Sequence, residues 1–292
     1  MQEVPVLEAR EIAFRYPDGT EALAGVTLAI PEGKKTAFLG PNGAGKSTLF
    51  LHFNGLLRPA RGKILFAGRE VRYDRKSLLE LRKNVGIVFQ DPEVQLFSAS
   101  VYQEISFGPV NLGLAAEEVR ERVYGAMAAT GVLGLKERPT HFLSYGQKKR
   151  VAIADILAMR PRVLICDEPT AWLDGKGAQQ VMELFDSFQK DGVTVVFSTH
   201  DVDVAYSHAD YVFVMKEGRL IGEGVPEEVF ADRELLERAG LERPWLAEVF
   251  EELQKAGWLE GEPAPRSRGE LLARIAAAKK GFSGSRALRK VK

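Results

Sequence analysis

The 292-residue sequence predicts an α/β fold around a largely parallel sheet. Three observations carry that reading. Short apolar runs recur at residues 35–39, 85–89, 162–166, 194–198 and 211–215, with helical patterns between several of them. Such alternation is the mark of strands joined by crossover helices. The first run leads straight into a glycine-rich loop, Gly40-Pro41-Asn42-Gly43-Ala44-Gly45-Lys46-Ser47-Thr48, and a helical pattern over residues 46–54 follows. Residues 98–142 then change character: residues 115–129 are helical in pattern and no strong strand intervenes, which predicts a helical insertion.

The remaining elements follow in order. Residues 6–30 alternate in the strand manner, with Ile12, Phe14, Leu23, Val26, Leu28 and Ile30 as candidate core positions. Pro17-Asp18-Gly19-Thr20 reads as a turn, because proline presets φ and glycine accepts positive φ. Residues 62–74 read as a short strand pair around Ala67-Gly68, residues 144–159 as a helix and residues 219–223 as a last strand. Beyond residue 230 the pattern is helical over 231–257, with a break at Pro244. A linker around Pro263 and a last short helix over 271–280 come next. The expected organisation is a core unit of residues 6–230, interrupted by a helical insertion at about 98–160. A C-terminal helical extension, residues 231–292, ends in a basic tail.

A hydrophobic content of 45% and a charged content of 27% suit a soluble globular chain. The formal net charge is zero, so global charge names no partner. The stretch from Pro263 to Lys292 carries nine Lys/Arg against one acidic residue, Glu270. It reads either as a solvated helix and tail or as a contact for anionic lipid or an acidic partner. Cys166 is the only cysteine, which excludes an intramolecular disulfide, and its apolar neighbours predict burial. Met1-Gln2-Glu3-Val4-Pro5 lacks the basic start and apolar core of a signal peptide. No apolar run approaches the roughly 18 residues that span a bilayer. A membrane role therefore requires another subunit to do the spanning.

The residues that carry chemistry lie at strand ends. Gly40, Gly43 and Gly45 let consecutive backbone N–H groups turn toward phosphates, and the helix from Lys46 adds its positive end. With a strand before and a helix after, Asn42, Gly43, Ala44, Gly45, Lys46, Ser47 and Thr48 form a phosphate-binding loop. Lys46 would reach the β/γ-phosphates and the Ser47 hydroxyl would ligate Mg²⁺. The strand Val163-Leu164-Ile165-Cys166 ends in Asp167-Glu168. Asp167 would support the Mg²⁺ shell, and Glu168 would orient or deprotonate an attacking water. His200 follows a strand at the end where α/β sheets place their sites and could reach the γ-phosphate. Gln90 ends the run 85–89 and could contact both Mg²⁺ and the water. Tyr16, at the end of the first strand, could stack on adenine or simply cover a turn. Leu143-Ser144-Tyr145-Gly146-Gln147 is a second Gly/Ser turn opening a helix. A chain that only bound ATP has no use for it, so ATP is expected to be sandwiched between two copies.

In this order the motifs resemble those of the ATP-binding-cassette (ABC) ATPases over residues 7–230. Gly40 to Thr48 resemble Walker A, Gln90 the Q-loop, and Leu143 to Gln147 the ABC signature. Asp167-Glu168 resemble the end of Walker B, Ala171-Trp172-Leu173-Asp174 the D-loop, His200 the switch histidine, and Tyr16 the stacking aromatic. The resemblance implies a cassette with a small antiparallel β subdomain and a helical insertion. It also implies ATP hydrolysis with Mg²⁺, and a head-to-tail dimer in which Ser144, Tyr145, Gly146, Gln147 and Asp174 serve the partner's nucleotide. Two departures stand out. Tyr145 occupies a position usually held by glycine, and Trp172 one often held by a small residue; Ser144, Gly146 and Asp174 are kept.

Further stretches resemble the ATPases of energy-coupling-factor importers, the cobalt type above all. They are His52-Phe53-Asn54-Gly55-Leu56-Leu57, Gln90-Asp91-Pro92-Glu93-Val94-Gln95-Leu96-Phe97, Phe107-Gly108-Pro109-Val110-Asn111-Leu112-Gly113 and Ser144-Tyr145-Gly146-Gln147-Lys148-Lys149-Arg150. In that family Tyr at position 145 is common. The resemblance implies a subunit at the cytoplasmic face of the membrane. It would pair with itself or a related ATPase and dock on an integral coupling subunit beside a substrate-binding membrane subunit, with no nucleic acid partner. Glu93, Gln95, Leu96 and Phe97 would meet a coupling helix, or else Leu96 and Phe97 pack inward as an ordinary turn. The alternatives are a small-molecule ABC importer ATPase for nickel or a vitamin, and a non-transport ABC ATPase. Leu235, Leu236, Leu241, Trp245, Val249, Phe250 and Leu253 are expected to form a second dimer contact rather than to pack back on the core.

Overall fold

The computed structural model describes residues 5–259 and 261–288, the last ten by backbone alone. The chain opens with β1 (Leu7–Arg15) and β2 (Glu21–Ile30), which pair antiparallel. β3 (Lys35–Leu39) and α1 (Lys46–Phe53) follow. β4 (Arg61–Phe66) and the two-residue β5 (Arg69–Glu70) join the first two strands in an antiparallel sheet of order β2-β1-β4-β5. Next come α2 (Arg75–Asn84) and β6 (Val85–Val88), then the insertion: α3 (Val101–Asn111), α4 (Ala116–Ala129) and α5 (Tyr145–Leu157).

The main sheet is completed by β7 (Val163–Cys166), α6 (Gly175–Lys190), β8 (Thr194–Thr199), α7 (Val202–His208), β9 (Tyr211–Lys216) and β10 (Arg219–Gly224). Its order is β10-β9-β3-β8-β7-β6. All neighbours from β9 to β6 are parallel, and only β10 is antiparallel. Every residue of β6, β7 and β8 is buried, as parallel strands covered on both faces must be. The side chains split by the period of two. Phe38, Ile165, Val196 and Phe213 face the antiparallel sheet and α1, where they meet Ile12, Leu23, Phe50 and Phe53. Ala37, Leu39, Leu164, Cys166, Val195 and Phe197 face Phe185 and Phe188 of α6 on the other side. Cys166 is fully buried, and burial pushes its thiol up to about 12.

The insertion has a core of its own, built from Val101, Ile105, Val119, Val123, Met127 and Leu143. α5 belongs to both bodies: Val151 and Ala154 pack into the insertion, while Ala152, Ile153 and Ile156 pack on the sheet. α2, α3, α6 and α7 are the helices that the sequence patterns did not delimit. Each is announced by a capping residue (Asp74, Ser100, Asp174 and Asp201) whose side chain accepts from a first-turn N–H.

The C-terminal helices α8 (Pro226–Val229), α9 (Arg233–Ala239), α10 (Trp245–Lys255) and α11 (Arg268–Leu288) overturn one expectation. Leu235, Leu236 and Phe250 do not face a second copy. They are buried in the same cluster as Val212 and Val214 of β9, with Leu241 and Leu253 half-buried against it. The cause is local: Gly222 of β10 presents no Cβ, and the space it leaves holds Leu235. Only Trp245 and Val249 of that set stay exposed. Arg266 is likewise structural. It donates to the carbonyls of Tyr206 (2.5 Å) and Ala209 and pairs with Glu227 at 2.8 Å. The basic residues Lys279, Lys280, Arg286, Arg289, Lys290 and Lys292 lie outside the described side chains.

Two carboxylates, Glu104 buried and Asp155 half-buried, lie where the insertion meets the sheet. Glu104 accepts from the backbone N–H of Phe97 (2.9 Å) and Ser98 (2.6 Å). Burial first, and the charge of Glu104 second, push Asp155 from 3.8 up to about 7, against a hydrogen bond with Gln95. Because the folded state raises this pKa, the linked stability is complete below about 3.8 and is lost as pH rises through about 7. Asp155→Asn, which cannot ionise, should therefore raise Tm at pH 8 by on the order of 5 °C. The gain should shrink as pH falls toward 4. Paired thermal melts check this, and a gain independent of pH would contradict it.

Candidate nucleotide-binding site

Because β3, β6, β7 and β8 run parallel, their carboxyl ends share one edge, and each hands a functional segment to it. After β3 comes the glycine loop. Gly40 and Gly45 have φ of +146° and +100°. A Cβ on Gly40 would collide with the Met215 carbonyl, and one on Gly45 would lie 2.5 Å from the Ala22 carbonyl. Only glycine fits both places. α1 starts at Lys46 with no side-chain cap and no acidic residue in its first turn, so its leading N–H groups are left for a ligand. Lys46 is buried, and its Nζ donates to the carbonyls of Gly40 (2.5 Å) and Pro41 (3.2 Å). Burial lowers its pKa, while the charges of Glu168 and Asp167 oppose that shift. Ser47 is exposed to the cleft. The Thr48 hydroxyl lies 3.1 Å from that of Tyr16, whose ring is met edge-on by Phe14 at 5.1 Å.

After β7 come Asp167 and Glu168, both buried. Ser198 joins them: its Oγ donates to Asp167 Oδ1 (2.5 Å) and accepts from the Glu168 N–H (2.8 Å). Ser198 was not singled out from the sequence. The signal was the register, since pairing Cys166 with Phe197 sets Ser198 beside Asp167. Glu168 takes a left-handed φ of +45°, unusual for a carboxylic residue. Its Oε2 lies 3.1 Å from His200 Nδ1, and its Oε1 is buried without a hydrogen-bond partner among the described residues. A buried carboxylate oxygen so placed fits a water or hydroxyl donor.

Tyr16, Asn42, Gly43, Ala44, Gly45, Lys46, Ser47, Thr48, Gln90, Asp167 and Glu168 line one cleft of about 330 Å³. His200 lines the adjoining hollow with Asn42, Gln90, Glu168 and Trp172. The single chain does not bring the signature turn to this cleft. Ser144, Gly146, Gln147 and Asp174 line a separate concavity of about 460 Å³. Ser144 and Gln147 form a reciprocal capping box there, and Asp174 caps α6. Trp172, 80% exposed and at φ +64°, stands between the two regions and lines both. Among the described residues no three His, Cys, Asp or Glu side chains converge on a metal position. A cation at Ser47, Gln90 and Asp167 would therefore draw ligands from phosphates and water, the habit of Mg²⁺.

Residues 92–97 divide between the two expected arrangements. Pro92–Val94 form a single 3₁₀ turn. Glu93 is exposed and pairs with Lys148. The Gln95 side chain turns inward to accept from the Phe89 N–H at 3.1 Å, and Leu96 is half-buried between two core clusters. Phe97 points out, 67% exposed, and packs edge-to-face with exposed Phe107 at 5.0 Å. Val94 and Val110 are also exposed. Of the four residues expected to meet a coupling helix, Glu93 and Phe97 are exposed, while Gln95 and Leu96 are half-buried and hold the segment in place.

The "ABC transporter" family model matches residues 23–171. The chain is 51% identical over 250 residues to the energy-coupling factor transporter ATP-binding protein EcfA of Methanocaldococcus jannaschii, covering 86% of this chain and 90% of that protein. It is 51% identical over 251 residues to EcfA3 of Clostridium perfringens, covering 86% and 88%. Among solved structures it is similar to cbiO1 of Clostridium perfringens, described as part of the ABC transporter complex cbiONQ. That match has a TM-score of 0.73 and 51% identity, over 85% of this chain and all of that one. The dimeric cassette MJ0796 bound to ADP and Pi matches at a TM-score of 0.69 and 28% identity, over 75% and 98%. With its glycine loop, buried carboxylate pair and separate signature turn, this chain belongs to the ABC transporter ATPases, and within them to the energy-coupling-factor type.

Proposed function

We propose that two cassettes close head to tail, each ATP lying between the glycine loop of one copy and Ser144 and Gly146 of the other. The observation that carries this reading is the separation of two preformed half-sites on one chain, with the exposed Trp172 between them. In each cleft the backbone amides from Asn42 to Thr48 and the Lys46 ammonium would hold the phosphates, and Tyr16 would flank the adenine. Ser47, Gln90 and Asp167 would hold Mg²⁺, which when bound neutralises phosphate charge. The free Oε1 of Glu168 would take a proton from the attacking water, with Oε2 steadied by His200. Ser198 keeps both carboxylates in register. His200, largely exposed, can turn from Glu168 toward a γ-phosphate. Closure follows from ATP binding the closed pair better than the open one, and hydrolysis removes that difference.

The partner is a second copy or a related ATPase. No helix among the described residues is long and apolar enough to cross a membrane. An integral coupling subunit and a substrate-binding membrane subunit would therefore make the path, with this chain peripheral at the cytoplasmic face. The exposed patch of Val94, Phe97, Phe107 and Val110 suits an apolar helix from the coupling subunit. The cargo we favour is cobalt ion, on the similarity to cbiO1; a nickel or vitamin importer is the second reading. Nothing in the site calls for nucleic acid.

Glu168→Gln should lower kcat by about 10²-fold or more and hold an ATP-bound dimer. Gel filtration with ATP and Mg²⁺ reads this directly, and a purely monomeric variant would sink the sandwich. Phe97→Asp should abolish transport in vesicles containing the membrane subunits while leaving ATP affinity within about twofold, since surface changes seldom disturb a distant site. It is the cleaner test than Leu96→Asp, which would also charge a half-buried position. Normal transport by the Phe97 variant would reject the docking patch.

A further inference from the structure

α5 holds the segment after β6 at four points. The Tyr145 hydroxyl donates to the Gln90 carbonyl at 3.0 Å. Lys149 Nζ donates to the same carbonyl at 2.6 Å and to that of Phe89 at 3.2 Å. Lys148 pairs with Glu93, and Asp155 hydrogen-bonds the Gln95 side chain. Tyr145, Lys148 and Lys149 share one face of the first turn by their spacing. Lys149 is fully buried and anchors the set, while the Tyr145 bond lies at the surface. The Gln90 carbonyl accepts two bonds and has no lone pair to spare. Burial first, then the charges of Asp91 and Glu93, raise the Tyr145 pKa, which keeps its hydroxyl a donor at working pH.

The same first turn of α5 carries Ser144 and Gly146, fixed by the capping box. The side chain of Gln90, meanwhile, lines the nucleotide cleft of its own chain. One peptide carbonyl is therefore tied to two sites that serve different ATP molecules in the proposed pair. We infer that Tyr145 is a positioning residue that locks the signature turn to the Gln90 backbone, so that nucleotide in a chain's own cleft sets the position of the turn it offers to its partner. Glycine at position 145 could not make this bond, and phenylalanine would keep the ring but lose it. The consequence is positive coupling between the two ATP sites, which the head-to-tail reading requires as its setting.

The test is Tyr145→Phe in the full chain, with ATP and Mg²⁺ as the probe. The parent should hydrolyse ATP with a Hill coefficient above 1. The variant should fall to about 1, with kcat lowered about fivefold, the scale of one hydrogen bond. Binding of ATP to dilute, monomeric protein and the Tm should not change, which separates positioning from a folding defect. Lys149→Met, which removes the second donor to Gln90, should act in the same direction. An unaltered Hill coefficient and kcat in Tyr145→Phe, a parent without cooperativity, or a matching loss of monomer affinity would each overturn the inference. Dimerisation of Glu168→Gln is scored beside it. No dimer at all defeats the sandwich itself, whereas a dimer with undiminished cooperativity in Tyr145→Phe defeats only the role given to Tyr145.

Discussion

Parallel pairing of β3, β8, β7 and β6 governs nearly everything at the site. Residues as far apart in the chain as 40, 90, 168 and 200 come together because four strands end on the same side of one sheet. The register does more than gather them. It sets Ser198 against Asp167, and through one hydroxyl it fixes both the Asp167 carboxylate and the backbone of Glu168. A slip of one residue would turn Asp167 and Ser198 to opposite faces and bury the wrong alternate set, so core packing and chemistry depend on the same pairing.

Beside the sheet, the apolar packing divides into separate bodies, one of them wholly within the insertion. α5 is held by both, through Ala152, Ile153 and Ile156 on one side and Val151 and Ala154 on the other. A helix shared in this way transmits a tilt rather than absorbing it, because closely packed interiors do not deform smoothly. Its amino end carries the signature turn, and its flank carries the half-buried Asp155, which hydrogen-bonds Gln95. The signature turn and the segment that carries Phe97 are therefore both tied to one helix.

Much of this was legible before any coordinates. Strands β1–β3 and β6–β10 announce themselves by apolar runs, β4 and β5 by the turn at Ala67-Gly68, and the nucleotide residues by spacing and strand context. The gaps have physical causes. Ser198 and Lys149 look ordinary in sequence, because their importance comes from pairing register and from burial that only the assembled core creates. Gln95 and Leu96 were read as projecting because a short polar–apolar alternation cannot tell an outward turn from one pinned by a side-chain-to-backbone bond. The C-terminal leucines looked like an interface because an amphipathic stripe states that it will be covered, not by what. Its cover turned out to be β9 and β10 of the same chain.

That last feature bears on how the molecule is made. Phe230, Leu235, Leu236, Leu246, Phe250, Leu259 and Leu271 all lie in the cluster that seals one face of the sheet. Strand β9 leaves the ribosome roughly sixty residues before Leu271 does. At ordinary synthesis speeds that face stays uncovered for several seconds. During this interval the chain presents Val212, Val214 and their neighbours to whatever is nearby.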